Sequence, residues 1–227
     1  MRVIDLSRPL VPGRDVEVRR QPNSPAYLGH ECYAWDLTIR SHTGTYFETS
    51  SHVFRDGRHT ADVSVADLAL PCALVRLPRR GESPHPSPSS SPAFAQASTF
   101  AKATADKSAG KPAIMGAELE AAGAHVRKGD ALLVDTGGDQ RRYFERDAVA
   151  WMIARGIKLL GADLDRYDTG FEHPTGIFDD LFKADIPIIA GLANLDQLTR
   201  DRFDLIVAPL AIPGIGTVPA RVFAIER

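Results

Sequence analysis

The sequence predicts a single, strand-rich domain of the mixed α/β class. Three observations carry that expectation. The chain has 227 residues, 44% hydrophobic and 25% charged, an ordinary globular composition at a length that suits one domain and a core able to fold without disulfides. Short apolar or alternating runs bounded by Gly and Pro recur along it, as strands do. Helical periodicity appears only in the second half, where it alternates with strands.

The elements follow in chain order. Residues 33 to 41 alternate, with Tyr33, Trp35, Leu37 and Ile39 on one side and Ala34, Asp36, Thr38 and Arg40 on the other. That pattern predicts a half-buried strand. It runs into "SHTGTYFETSSHVF" at 41 to 54, where Gly44 permits a close backbone approach. An apolar strand is expected at 73 to 77. From 83 to 92 every residue except His85 is Ser or Pro, and "AFAQAS" is echoed by "TFAKAT" over 93 to 104. Residues 80 to 111 therefore read as a low-complexity insertion on the surface.

"GDALLVDTGG" at 129 to 138 reads as a turn, a buried strand and a Gly-rich loop. A helix is expected over 145 to 155, its inner stripe being Val149, Met152 and Ile153 with Ile157 beyond, and Gly156 as its stop. "IKLLGADLD" is a strand ending in acidic residues. A further helix covers 179 to 183, ahead of the strand "IPIIAGL". The last 25 residues, "FDLIVAPLAIPGIGTVPARVFAIER", give two apolar strands around a Pro/Gly-rich turn.

Bulk properties remove several function classes. A formal net charge of -2 supplies no basic excess to neutralise phosphates, which argues against nucleic-acid and anionic-membrane partners. Cys32 and Cys72 are far apart and outside any CxxC pair, so reduced thiols are expected rather than a disulfide framework. Asp5, Ser7 and Arg8 interrupt the apolar residues at the start, so no secretory leader is read there. No run approaches the ~18 apolar residues of a membrane span. A soluble, cytoplasmic protein is the expectation.

Chemistry concentrates in 41 to 54. On an extended chain, His42, Tyr46, Glu48 and His52 lie at even offsets and face one side. Imidazole and carboxylate together suit zinc, manganese or iron, or acid/base work. The same residues in a surface loop could do no more than satisfy backbone groups. Other motifs give less. "DTGG" resembles an aspartic-protease turn for four residues only. "GIGTV" lacks the third glycine and following helix of a dinucleotide site. Ser50 and Ser51 precede His52 without a nucleophile elbow, and there is no phosphate-binding loop.

"VIDLSRPL", "SHTGTYFETSSHVF", "GIKLLGADLDRYD", "IPIIAGLANLDQL" and the closing "PLAIPGIGTVPARVFAIER" together resemble the cyclase family, which includes bacterial kynurenine formamidase and isatin hydrolase. The resemblance covers nearly the whole chain outside the Ser/Pro stretch. It implies a swivelling β/β/α fold, a homo-oligomer and a metal-dependent hydrolase. The family motif HxGTHxDxPxHF implies that His42 is a metal ligand, Tyr46 stands at the second ligand histidine, Glu48 replaces the ligand aspartate and His52 transfers protons. Aligning the later signature puts Ala190 at a ligand glutamate and Phe178 at a ligand histidine. Neither side chain can bind a metal, so the family's binuclear arrangement is not expected.

Two readings follow. In the first, a divalent metal (zinc or manganese) held by His42 and Glu48 acts on an amide-type C–N bond of a small, arylformamidase-like substrate, as in tryptophan catabolism. An acidic loop carrying Asp163, Asp165, Asp168, Glu172 and His173 helps to hold the metal. His52 shuttles the proton and Tyr46 donates to the oxyanion. In the second, the chain is a metal-free homologue that binds a small molecule or works through Glu48 and His52 alone.

Overall fold

The computed structural model describes residues 1–22, 26–78, 113–170, 172 and 174–227. The insertion expected at 80 to 111 lies outside the described residues. The chain opens with β1 (Arg2–Asp5), β2 (Val16–Arg20), β3 (Trp35–Ile39) and the three-residue β4 (Tyr46–Glu48). It continues with β5 (Ala69–Arg76), β6 (Ala113–Ile114), α1 (Gly116–Ala122), β7 (Ala131–Asp135) and β8 (Tyr143–Phe144). Then come α2 (Arg146–Arg155), β9 (Leu159–Ala162), α3 (Ile177–Lys183), β10 (Ile188–Ala190), β11 (Arg202–Pro209) and β12 (Thr217–Glu226).

Seven strands close into a barrel in the order β12–β11–β5–β7–β9–β10–β4. Closure depends on the length of β12, which pairs with β4 at Thr217–Pro219 and with β1 near its other end. Strands β5, β7, β9 and β10 run parallel, and their connections carry helices α1, α2 and α3. β4, β11 and β12 are antiparallel to their neighbours.

Strand alternation sorts the core into two layers. Phe47, Cys72, Leu74, Ala131, Leu133, Leu159, Ile189 and Val222 fill the barrel interior. Leu132, Val134, Leu160, Ile188 and Ala190 face outward and pack with Val149, Met152, Leu181 and the other helix residues. Two helix expectations shift. Ile153 is 40% exposed, because it lies one residue, about 100°, past the buried Ala148–Val149–Met152 stripe. α3 begins at Ile177 rather than 179, after Gly176 turns with φ 84. Gly156 ends α2 in the left-handed region, as expected. Both cysteines are free, Cys72 buried and Cys32 half-buried.

The largest departure is β3. Its alternation is real, because the β2–β3 register sets Val16 opposite Ile39, Val18 opposite Leu37 and Arg20 opposite Trp35, all on one face. That face is not buried: Trp35 is 51% and Leu37 65% exposed. β2 and β3 form a separate two-stranded ribbon, and no layer of described residues covers its apolar side. Among the described residues no helix is long and apolar enough to cross a membrane.

A buried ion pair ties the strands together at the foot of the barrel. Asp130, 1% exposed, accepts from Arg202 Nη1 at 2.5 Å and Nη2 at 2.8 Å, and from the Arg127 amide at 2.8 Å. Asp130→Ala removes two of the guanidinium's hydrogen bonds, leaving the one to the His125 carbonyl, and unpairs that amide, so urea unfolding should show a loss of about 2–3 kcal/mol. A change under about 0.5 kcal/mol, the range of a plain surface substitution, would show that the pair does not hold this end.

Candidate active site

Two glycines set the approach of the 41–54 segment to the barrel. Gly44 (φ 66) and Gly191 (φ 69) both use left-handed backbone. The Gly44 carbonyl oxygen lies only 2.5 Å from where a Cβ on Gly191 would sit. Buried Thr45 fastens this contact, its hydroxyl donating to the Gly191 carbonyl at 2.6 Å and accepting from the Arg8 amide at 2.9 Å.

β4 then enters the barrel wall between β10 and β12, pairing with both. Phe47 points inward and is fully buried, so Tyr46 and Glu48 point outward. The register sets Tyr46 beside Ala190 and Glu48 beside Ile188 and Thr217. The segment from His42 to His52 is not one extended stretch. Only Tyr46–Glu48 is strand; His42 arrives on the preceding turn and His52 on the 3-10 turn Ser50–His52.

The three chemical groups nevertheless converge. Glu48 is 3% exposed. His42 Nε2 stands 3.3 Å from Glu48 Oε2, and His52 Nε2 stands 4.0 Å from Glu48 Oε1. The imidazole rings are 4.8 Å apart at 63°. One ligand atom from each residue lies within 4.8 Å of the others. Hydroxyls hold the far sides of both rings: Ser41 Oγ is 3.0 Å from His42 Nδ1, and Thr217 Oγ1 is 3.2 Å from His52 Nδ1. That leaves both Nε2 atoms turned to the carboxylate, the kind of outer hydrogen bonding that orients a ligand histidine.

Tyr46 packs edge-on to His42, ring centroids 5.0 Å apart, and its hydroxyl donates to the Asp165 carbonyl at 3.2 Å. Burial pushes its phenol well above the usual range, with the charges of Glu48 and Asp165 adding to the shift and Arg166 and Arg8 opposing it. The phenol is therefore a hydrogen-bond donor, not an anionic ligand, at neutral pH.

Phe178 and Ala190 reach the same cavity, which is about 1110 Å³ in volume. Ala190 lies in the wall beside Tyr46, and Phe178 stacks on Phe182 at 5.9 Å. The acidic loop expected to supply replacement ligands is committed elsewhere. Asp163 accepts from the Thr136 amide and hydroxyl and from the Gly138 amide, at 2.7 to 3.0 Å, and so holds the Gly-rich loop after β7. Asp165 pairs with Arg8. Asp168 Oδ1 accepts from the amides and hydroxyls of Thr169 and Thr175. Glu172 is exposed, and His173 lies outside the described residues. Thr217 and Arg8 carried no signal in the sequence, because their roles depend on residues more than a hundred positions away.

The molecule is a closed mixed sheet of the strand-rich α/β class that carries a His/Glu cluster on its outer wall, over an open cavity. The chain belongs to the cyclase family: the family model described as "Putative cyclase" matches residues 4–169. No curated protein matches the sequence significantly. Among solved structures, a potential metal-dependent hydrolase with cyclase activity is 20% identical, with a TM-score of 0.69 over 100% of this chain and 98% of that one. Isatin hydrolase A from Ralstonia solanacearum is 18% identical, with a TM-score of 0.70 over 98% and 91% of the two chains. Isatin hydrolase A from Labrenzia aggregata, bound to benzyl benzoate, is 18% identical with a TM-score of 0.70 over 98% and 93%. At these identities the likeness establishes the fold.

The Gly44–Gly191 contact makes a sharp test of how the site is held. Gly191→Ala sets a methyl against a backbone oxygen at a φ that Ala tolerates poorly. It should cost about 2–3 kcal/mol in thermal or urea unfolding and disturb the His42 ring resonances in NMR spectra. Unchanged stability together with unchanged His42 resonances would contradict the tight junction.

Proposed function

We propose that the chain is a cyclase-family hydrolase acting on an amide-type C–N bond of a small, arylformamidase-like substrate, with His42, Glu48 and His52 holding one divalent cation. The observation that carries the reading is the convergence of two imidazoles on a buried carboxylate within 4.8 Å. Two imidazoles and a carboxylate form a donor set that fits zinc or manganese. Tyr46, Phe178 and Ala190 do not fit the remaining family ligand positions, so the reading is of a single ion. Such a cation, when bound, supplies Lewis acidity, polarising a carbonyl and lowering the pKa of water towards ~7. The names of similar structures, a metal-dependent hydrolase and isatin hydrolases, support the same class.

The chain's own groups do the rest. Ser41 and Thr217 orient the imidazoles. Tyr46, kept protonated by burial, donates to oxygen as negative charge develops on it. Phe178, Ile188 and Ala190 give an apolar wall that limits water beside the reacting bond. The chain is further proposed to act as a homo-oligomer, with Trp35 and Leu37 on the open ribbon face among the residues that association covers.

A second reading has its own support, the absence of a ligand side chain at three family positions and the commitment of Asp163, Asp165 and Asp168 to structural bonds. In it, Glu48 and His52 work as an acid/base pair without a metal, and His52 carries the proton. Metal content of protein purified without chelator, measured beside turnover of an aryl formamide, separates the two. The first reading expects about one equivalent of metal, and a drop of roughly tenfold or more in both content and activity in His42→Gln and His52→Gln. A metal-free wild type whose turnover vanishes in His52→Gln establishes the second. Neither metal uptake nor turnover, across zinc and manganese, sinks the hydrolase proposal.

A further inference from the structure

Four arginines line the cavity, and they are not equivalent. Arg8 is neutralised by Asp165 and also donates to the Asp163 carbonyl at 3.1 Å. Arg14 is clamped by both oxygens of Asp15, at 2.9 and 2.7 Å. Arg40 and Arg166 form no hydrogen bond or ion pair among the described residues. The acids of the cavity do not answer them. Asp15, Asp165 and Asp168 are held as described, and Glu48 is buried between the two histidines. Glu17 also lines the cavity, but on the ribbon, opposite Thr38.

Arg166 is the better placed of the two. It follows Asp165, whose carbonyl receives the Tyr46 hydroxyl, and it lines the same cavity as Tyr46. The Tyr46 side of this cavity also carries Ala190, which with Phe178 and Ile188 gives an apolar wall. A guanidinium without a partner among the described residues, in a cavity that also has an apolar wall, matches a ligand with an anionic end and an apolar body. The planar fork of Arg suits a carboxylate in particular.

We infer that the site takes a small organic carboxylate, with Arg166 binding the carboxylate, Arg40 adding positive potential, and the apolar body lying against Phe178, Ile188 and Ala190. For the substrate this deepens the hydrolase reading, on which it rests, by specifying an acid that also carries the scissile amide. As a statement about binding it can fail separately.

Calorimetry with benzoate and benzamide, two probes that differ in charge at nearly constant shape, tests it on the intact protein with and without added zinc. Benzoate should bind at least roughly tenfold more tightly than benzamide, and Arg166→Gln should remove about that factor from benzoate alone. Arg40→Gln should cost benzoate less than Arg166→Gln does. Arg166 is exposed, so the variant is expected to keep the wild-type melting temperature. Arg166→Lys, which keeps charge but loses the fork, should fall between the two and serves if the Gln variant fails to fold. Equal affinity for the two probes overturns the inference. So does benzoate binding that survives Arg166→Gln while following added zinc, which would assign the carboxylate to the metal. A larger loss in Arg40→Gln would move the anion site to the ribbon and overturn the assignment to Arg166. Benzoate binding through Arg166 with no turnover of any aryl formamide would leave this inference standing and remove the hydrolase reading.

Discussion

The pairing of the three-residue strand β4 with β10 on one side and β12 on the other is the constraint on which the rest depends. Those pairs close the barrel, and closure leaves no free edge among its seven strands. They also fix a parity. Because side chains alternate, anchoring Phe47 in the interior forces Tyr46 and Glu48 out on the opposite face. A slip of one residue would bury two polar groups in the barrel and turn the phenylalanine to the cavity. The register that stabilises the fold is therefore the register that makes the site.

What the chain places around that carboxylate follows a division of charge. Acids near the cavity are mostly used to hold backbone: Asp163 grips the loop after β7, and Asp168 grips two threonine amides. Glu48 differs, since its near neighbours are two imidazoles held by hydroxyls from behind. At the three further positions where the family resemblance leads one to expect metal ligands, this chain has a phenol, a phenyl ring and a methyl group. These side chains complete an apolar wall: Ala190 lies in register beside Tyr46, and Phe178 packs on Phe182.

Much of the architecture was legible beforehand because it rests on local pattern. β7, β9 and β10 are continuous apolar runs, α2 carries a stripe at helical spacing and ends at a left-handed Gly156, and each is where its sequence puts it. α1 leaves little trace in the sequence, since seven residues containing a glycine and three alanines show little periodicity. β3 has the alternation its sequence shows, yet its apolar face is exposed. Alternation reports that a strand has an apolar face, and whether anything covers that face is decided by elements distant in the chain.

The sequence by itself determined the fold class, the family and the identity of His42, Glu48 and His52 as the residues of interest, because these depend on residue types at short spacing. Only the tertiary structure decided how they meet. Turns, rather than a single extended strand, deliver the two histidines to Glu48, and a register across β4, β10 and β12 brings Ala190 and Thr217 to the same place. It also decided that Asp163, Asp165 and Asp168 are held in bonds within the protein and that Arg166 has no partner among the described residues, since a charge is neutralised by whichever opposite group folds within reach. Spacing along a chain carries no record of that distance.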